Sequence, residues 1–229
     1  MKRKIVTKLM AIVLAGVLLT GSVTPGFHMS RVQAAEDLFN TRYDFNFEDG
    51  IEGWYYGEGW EYQYNGAKPT LESDTENGRM KIAVDFSQDA DKNWSNIAAC
   101  WKSEEGIDLS GVTQISMDIW YETEKLTEGE LKLAFYSNCG IDVNTSLIDV
   151  QEEEGTGLTK ARAVFGFPAI GSDAVTDLAV KIVGCNTGYS GAVWIDNIQF
   201  EAKDSEQEMR ANSRIQVSIP HLQPTVGIR

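Results

Sequence analysis

Residues 79–86 read Arg79-Met80-Lys81-Ile82-Ala83-Val84-Asp85-Phe86. Met80, Ile82, Val84 and Phe86 fall on one side of a two-residue repeat, and Lys81, Ala83 and Asp85 fall on the other. That alternation belongs to a strand with one face in a core and the other in water. It recurs at Ile115, Met117, Ile119 and Tyr121, at Leu131, Leu133 and Phe135, and at Val193 and Ile195. Turn signals separate these runs: Glu76-Asn77-Gly78, Asp108 to Gly111, Thr127-Glu128-Gly129, Glu154 to Gly157 and Tyr189-Ser190-Gly191. Many short strands joined by Gly-rich turns predict an all-β fold, an antiparallel β-sandwich of the jelly-roll kind. Only Asp173 to Leu178 reads as a short helical turn, and no internal repeat is present.

The N-terminus has a different character. Lys2, Arg3, Lys4 and Lys8 precede an apolar run from Leu9 to Leu19, and Val32-Gln33-Ala34 offers small side chains for cleavage. This is the layout of a secretory signal peptide over residues 1–34, cut after Ala34 or Ala35. The apolar run is shorter than the about 20 residues a membrane span needs. The expected organisation is a signal peptide (1–34), a sandwich module (40–202) and a polar tail or truncated linker (203–229). The expected location is extracellular.

The 229-residue chain carries 20 basic and 34 acidic residues. The signal holds five of the basic ones and no acidic ones, so the secreted part is more acidic still. Such a polyanion is repelled by nucleic acid and by anionic lipid, and its carboxylates suit a hard cation such as calcium. About 165 residues between signal and tail form one domain with one core. Cys100, Cys139 and Cys185 are odd in number, so at least one thiol stays free, and no pair has the CxxC spacing of zinc or redox sites.

What the domain lacks narrows its chemistry. The only histidines are His28 and His221, in the signal and the tail. Ser-His-Asp and Cys-His nucleophiles and His-ligated zinc are therefore excluded within the domain. No Gly-rich loop opens a helix to cradle phosphate. Two carboxylates alone can hydrolyse glycosides, so a small sandwich glycanase is the catalytic alternative.

Six tryptophans are the informative side chains. The C–H face of a pyranose packs on a flat indole while its hydroxyls reach polar neighbours. Trp101 shares a strand face with Ile97 and Ala99 and is expected in the core. Trp120 alternates with the Met117 and Ile119 set and is expected at the surface. Trp194 alternates with Val193 and Ile195, and Trp54 either plugs one end of the sandwich or is exposed. Trp60, in Gly57-Glu58-Gly59-Trp60-Glu61-Tyr62, and Trp94, in Asp91-Lys92-Asn93-Trp94-Ser95-Asn96, sit among polar loop residues that make poor core neighbours. Both are candidate ligand platforms. Asn96 and Lys102 share strand parity with Trp94 and are candidate hydrogen-bonding partners.

A cation site is the second constellation. Asp44, Asn46 and Glu48 alternate along the first strand, and Asp196 lies near the end of the last. First and last strands are often neighbours in a sandwich, which would bring Glu48 and Asp196 together. Calcium takes six to eight oxygen ligands of this type.

Phe47-Glu48-Asp49-Gly50 with Gly53-Trp54, and Trp194-Ile195-Asp196-Asn197-Ile198 at the other end, resemble the frame of β-sandwich carbohydrate-binding modules. The loops resemble most the family 27 modules of bacterial β-mannanases, with family 23 second, over residues 43–201. The resemblance implies a non-catalytic, monomeric module that binds β-1,4-mannan, galactomannan or glucomannan and targets an attached or partner mannanase to it. It matches Trp60 and Trp94 to two binding tryptophans, and places Ile141 where a third aromatic is expected. It also implies a structural calcium held by Asn46 (through its carbonyl), Glu48 and Asp196. A cell-surface adhesion sandwich without a sugar ligand is the remaining alternative.

Overall fold

The structure is a computed structural model that describes residues 39–172 and 174–203. The expected signal peptide, and all but the first residue of the expected tail, lie outside the described residues. Two antiparallel sheets face each other. The larger runs β3 (Thr70–Asp74), β4 (Arg79–Asp85), β12 (Ser190–Lys203), β6 (Val112–Glu122), β10 (Leu158–Gly166) and β9 (Ile148–Glu153). The 14-residue β12 is long enough to pair β4 along its first half and β1 (Phe39–Phe45) along its second. The smaller sheet runs β2 (Tyr55–Tyr56), β5 (Ser95–Ile107), β11 (Val175–Cys185), β7 (Glu130–Ser137) and β8 (Ile141–Ser146).

The alternation read from residues 79–86 holds: Met80, Ile82, Val84 and Phe86 are all buried. So are Ile115, Met117, Ile119 and Tyr121, with Leu131, Leu133, Phe135, Val193 and Ile195. Aromatic rings lock the two sheets together. Phe45 meets Trp54 edge-on at 5.2 Å and Trp101 at 5.5 Å, while Phe200 lies 5.9 Å from Phe135. Edge-to-face pairs of this kind add about 0.5–1.5 kcal/mol each beyond the area they bury.

Two local expectations are corrected. Residues 175–178 open strand β11 and are not a helical turn, because Val175 and Leu178 are needed in the core. The turn before β12 falls at residues 186–189, since Tyr189 is fully buried and accepts from the main-chain N–H of Glu122 at 3.1 Å.

Candidate functional site

Strand parity decides what the smaller sheet shows to solvent. Ile97, Ala99 and Trp101 of β5, Leu178, Val180 and Ile182 of β11, and Leu133 and Phe135 of β7 point into the core. Their alternates point outward: Asn96, Ala98, Cys100 and Lys102; Asp177, Ala179, Lys181, Val183 and Cys185; Lys132, Ala134 and Tyr136. The centre of that face is small, with Ala98, Cys100, Ala179, Ala134 and Val183 forming a floor.

Trp60 arches over this floor from the loop after β2. Its ring meets Tyr136 edge-on at 5.0 Å, and Lys181 Nζ stands 5.7 Å from its centroid. The indole is still 40% exposed. Gly57 makes the approach possible, because a Cβ there would lie 2.4 Å from Cys100 Sγ. Trp94 packs at the other end of the floor, against Ala134, Val183 and Cys185. The row carrying Ala179 and Tyr136 is four residues along β11 from the row carrying Val183, about 13 Å at ~3.3 Å per residue. Trp60 and Trp94 therefore share one face, with room between them for more than one sugar ring.

Asn96 and Lys102 lie on the same outward face. Asn96 is buried beside Trp94, and its Oδ1 has no hydrogen-bond partner in the protein. Lys102 is at the far end and pairs with Asp177 at 3.3 Å. The hydroxyl of Thr176 bonds the Asp177 carboxylate and holds its pKa below the ordinary value, with Lys102 adding to the effect. Burial raises the Cys100 thiol to about 11, so this floor residue is a neutral, inert surface.

Ile141 is a correction. It is buried in the core at the start of β8 and does not reach the outward face. Tyr136 is the aromatic that β7 contributes instead. Its place was readable, because it alternates with the inward Phe135 in the company of Lys132 and Ala134. Tyr62 was missed for a different reason. It bridges to Asn96 through two main-chain bonds of 3.0 and 3.1 Å, which puts it on this face, and it is 55% exposed. Tyr55, opposite Cys100, joins it on the same edge. Isolated bridges leave no periodic signal in a sequence.

Three of the other tryptophans are structural, while Trp194 is half-buried on the outer side of the larger sheet. Trp54 and Trp101 are in the core. Trp120 does point outward from the larger sheet, but it is only 3% exposed. The Arg79 guanidinium lies 3.7 Å and Lys160 Nζ 4.7 Å from its ring, and its Nε1–H donates to Glu153 at 2.8 Å. Long polar side chains from other strands of the same sheet cover the ring.

At the junction of β1 and β12, Asp196 and Glu48 come within electrostatic range. Burial raises the Asp196 carboxyl to about 6, with Asp118 and Glu48 adding like-charge repulsion and the Asn197 N–H and Arg79 opposing it. Glu48 lies against Gly78, where a Cβ would come within 3.1 Å of its carboxylate. The Asn46 side-chain Oδ1 accepts from the Glu48 N–H at 3.3 Å. Among the described residues no group of three or more His, Cys, Asp or Glu converges as a metal site.

Residues 32–203 match the model of the family described as carbohydrate binding module 27. Among solved structures, the chain is similar to TmCBM27, a carbohydrate-binding module described for specific mannan recognition. The identity is 17% and the TM-score 0.55, covering 72% of this chain and 99% of that one. It is also similar to a family 28 module specific for non-crystalline cellulose, with 17% identity, a TM-score of 0.50, and 69% and 92% covered. At these identities the likeness establishes the sandwich fold. Among curated proteins, no sequence matches the chain.

Proposed function

Because the chain belongs to the carbohydrate binding module 27 family, we propose that it is a secreted module that binds β-1,4-mannan-type polysaccharide: mannan, galactomannan or glucomannan. The family is non-catalytic, and this chain is a carbohydrate-binding module and not an enzyme. The observation that carries the finer reading is the outward face of the smaller sheet, where Trp60 and Trp94 flank a floor of small side chains. Trp60 and Trp94 stack on sugar rings, with Tyr136 in the role expected of a third aromatic. Lys102 and Asn96 donate to or accept from hydroxyls between and beyond them. As a monomer the module keeps an attached or partner mannanase close to its polymer.

Calcium is proposed as a structural ion at the β1–β12 junction. The donors fit its chemistry: Asp196 and Glu48 supply repelling carboxylates, and the Asn46 carbonyl, other main-chain oxygens and water complete the shell. The ion would stiffen the larger sheet without touching the sugar.

Affinity electrophoresis on galactomannan and glucomannan tests the site. Trp60→Ala and Trp94→Ala should each abolish or strongly weaken retention, since truncating a central aromatic costs about 2 kcal/mol or more. Parental migration by both variants would refute the assignment.

A further inference from the structure

The two tryptophan platforms stand on segments that belong to no common strand. Trp60 is in the loop between Tyr56 and Thr70, and Trp94 ends the loop between Asp85 and Ser95. One carboxylate touches both loops. Asp89 is 1% exposed and is the only Asp or Glu among the described residues that is buried. Its Oδ2 accepts from the Asn65 main-chain N–H at 3.0 Å and from the Ser95 hydroxyl at 3.0 Å. Its Oδ1 accepts from Asn65 Nδ2 at 2.6 Å. Asn65 is three residues beyond Tyr62 and five beyond Trp60, while Ser95 directly follows Trp94.

No cation pairs with Asp89 among the described residues, so three neutral donors satisfy it. A polar group buried in this way has a desolvation cost, and removing a partner leaves that cost uncompensated. The same donors transmit position. Asn65 Nδ2 also donates to the Gln63 carbonyl at 3.1 Å, which ties the turn after Tyr62 to the clamp. On the Asp89 side, its own N–H donates to the Phe86 carbonyl at 2.8 Å, and its carbonyl accepts from the Lys92 N–H at 2.8 Å. The loop carrying Trp94 is thus built around the residue that grips the loop carrying Trp60.

We propose that Asp89 is a positioning residue: its buried carboxylate fixes the spacing and tilt of the Trp60 and Trp94 platforms by gripping Asn65 and Ser95 together. It touches no ligand. Its effect on binding is preorganisation, since loops already ordered lose less freedom when a polysaccharide lands. This rests on the reading that the two tryptophans form the sugar face, but the clamp itself is a property of the free protein.

The test uses the full chain with Asp89→Asn and, as a variant at an exposed position that spares the core, Asn65→Ala. In acrylamide quenching without ligand, both variants should show a larger accessible tryptophan fraction than the parent. In calorimetry with soluble galactomannan, each should bind about tenfold more weakly, with the loss in entropy and a similar enthalpy. The double variant should be no weaker than Asp89→Asn alone, because the two act through one link. Lower melting temperatures with unchanged quenching and affinity would make Asp89 a stabilising residue only and overturn the proposal. Losses that simply add would also overturn it. If the parent itself binds no polysaccharide, the sugar reading fails, and quenching alone then decides the clamp.

Discussion

Cys100 shows how much one side chain on the candidate face depends on its cover. The Gly57 backbone, in the loop that bears Trp60, lies against its sulfur, and burial sets the thiol at about 11. Cys100 should therefore stay unreactive toward a disulfide reagent at pH 8 in the folded protein and react on addition of denaturant. A fast native reaction, followed by peptide mapping to Cys100, would mean that the loop bearing Trp60 lifts off the sheet. At this scale the sequence was a partial guide. Polar neighbours pointed to Trp60 and Trp94, and the structure gives both a place on the outward face. The same argument failed for Trp120, because Arg79 and Lys160 come from other strands and no local pattern announces them. Ile141 came from the resemblance, which sets it where a third aromatic is expected, and in the structure it is a core residue.

Elements were more legible than sites because period-2 alternation is a local property. Sheet partners are not, and neither is the path of the loop between β2 and β3. That loop is held by a contact only glycine permits: a Cβ on Gly66 would lie 1.8 Å from the Asp85 carbonyl oxygen of β4. The neighbouring Tyr64 accepts from the Asp85 N–H at 3.0 Å and meets Phe86 edge-on at 5.6 Å. Gly66→Ala should force the loop away from β4 and lower stability by on the order of 2–4 kcal/mol, read from urea unfolding. A change under about 0.5 kcal/mol would show that the loop tolerates displacement and is not pinned there.

At the scale of the whole molecule, the β1–β12 junction sets a dependence on pH and on cations. Asp196 has an ordinary value of 3.8 and about 6 in the folded protein. Between these values the folded state keeps a proton that the unfolded chain has released. Stability contributed by this group therefore falls as pH rises from about 4 to about 6, and is level above that. In urea melts with chelator, the parent should lose ground to Asp196→Asn across this window. Added calcium at pH 7 should reverse the order, because a bound cation favours the ionised form. Identical melts with calcium and with chelator would remove the proposed ion. The same junction also has a mechanical consequence. β1 lies antiparallel to β12 with Phe39 opposite Lys203, so both ends of the sandwich leave from one point on the larger sheet. The candidate sugar face is on the outside of the other sheet. Both points of attachment are thus on the sheet opposite the candidate face. Tension applied through one end passes to the bound surface through the whole sandwich. Tension applied across both ends instead opens the ladder as a zipper, one pair at a time from Phe39 and Lys203 inward.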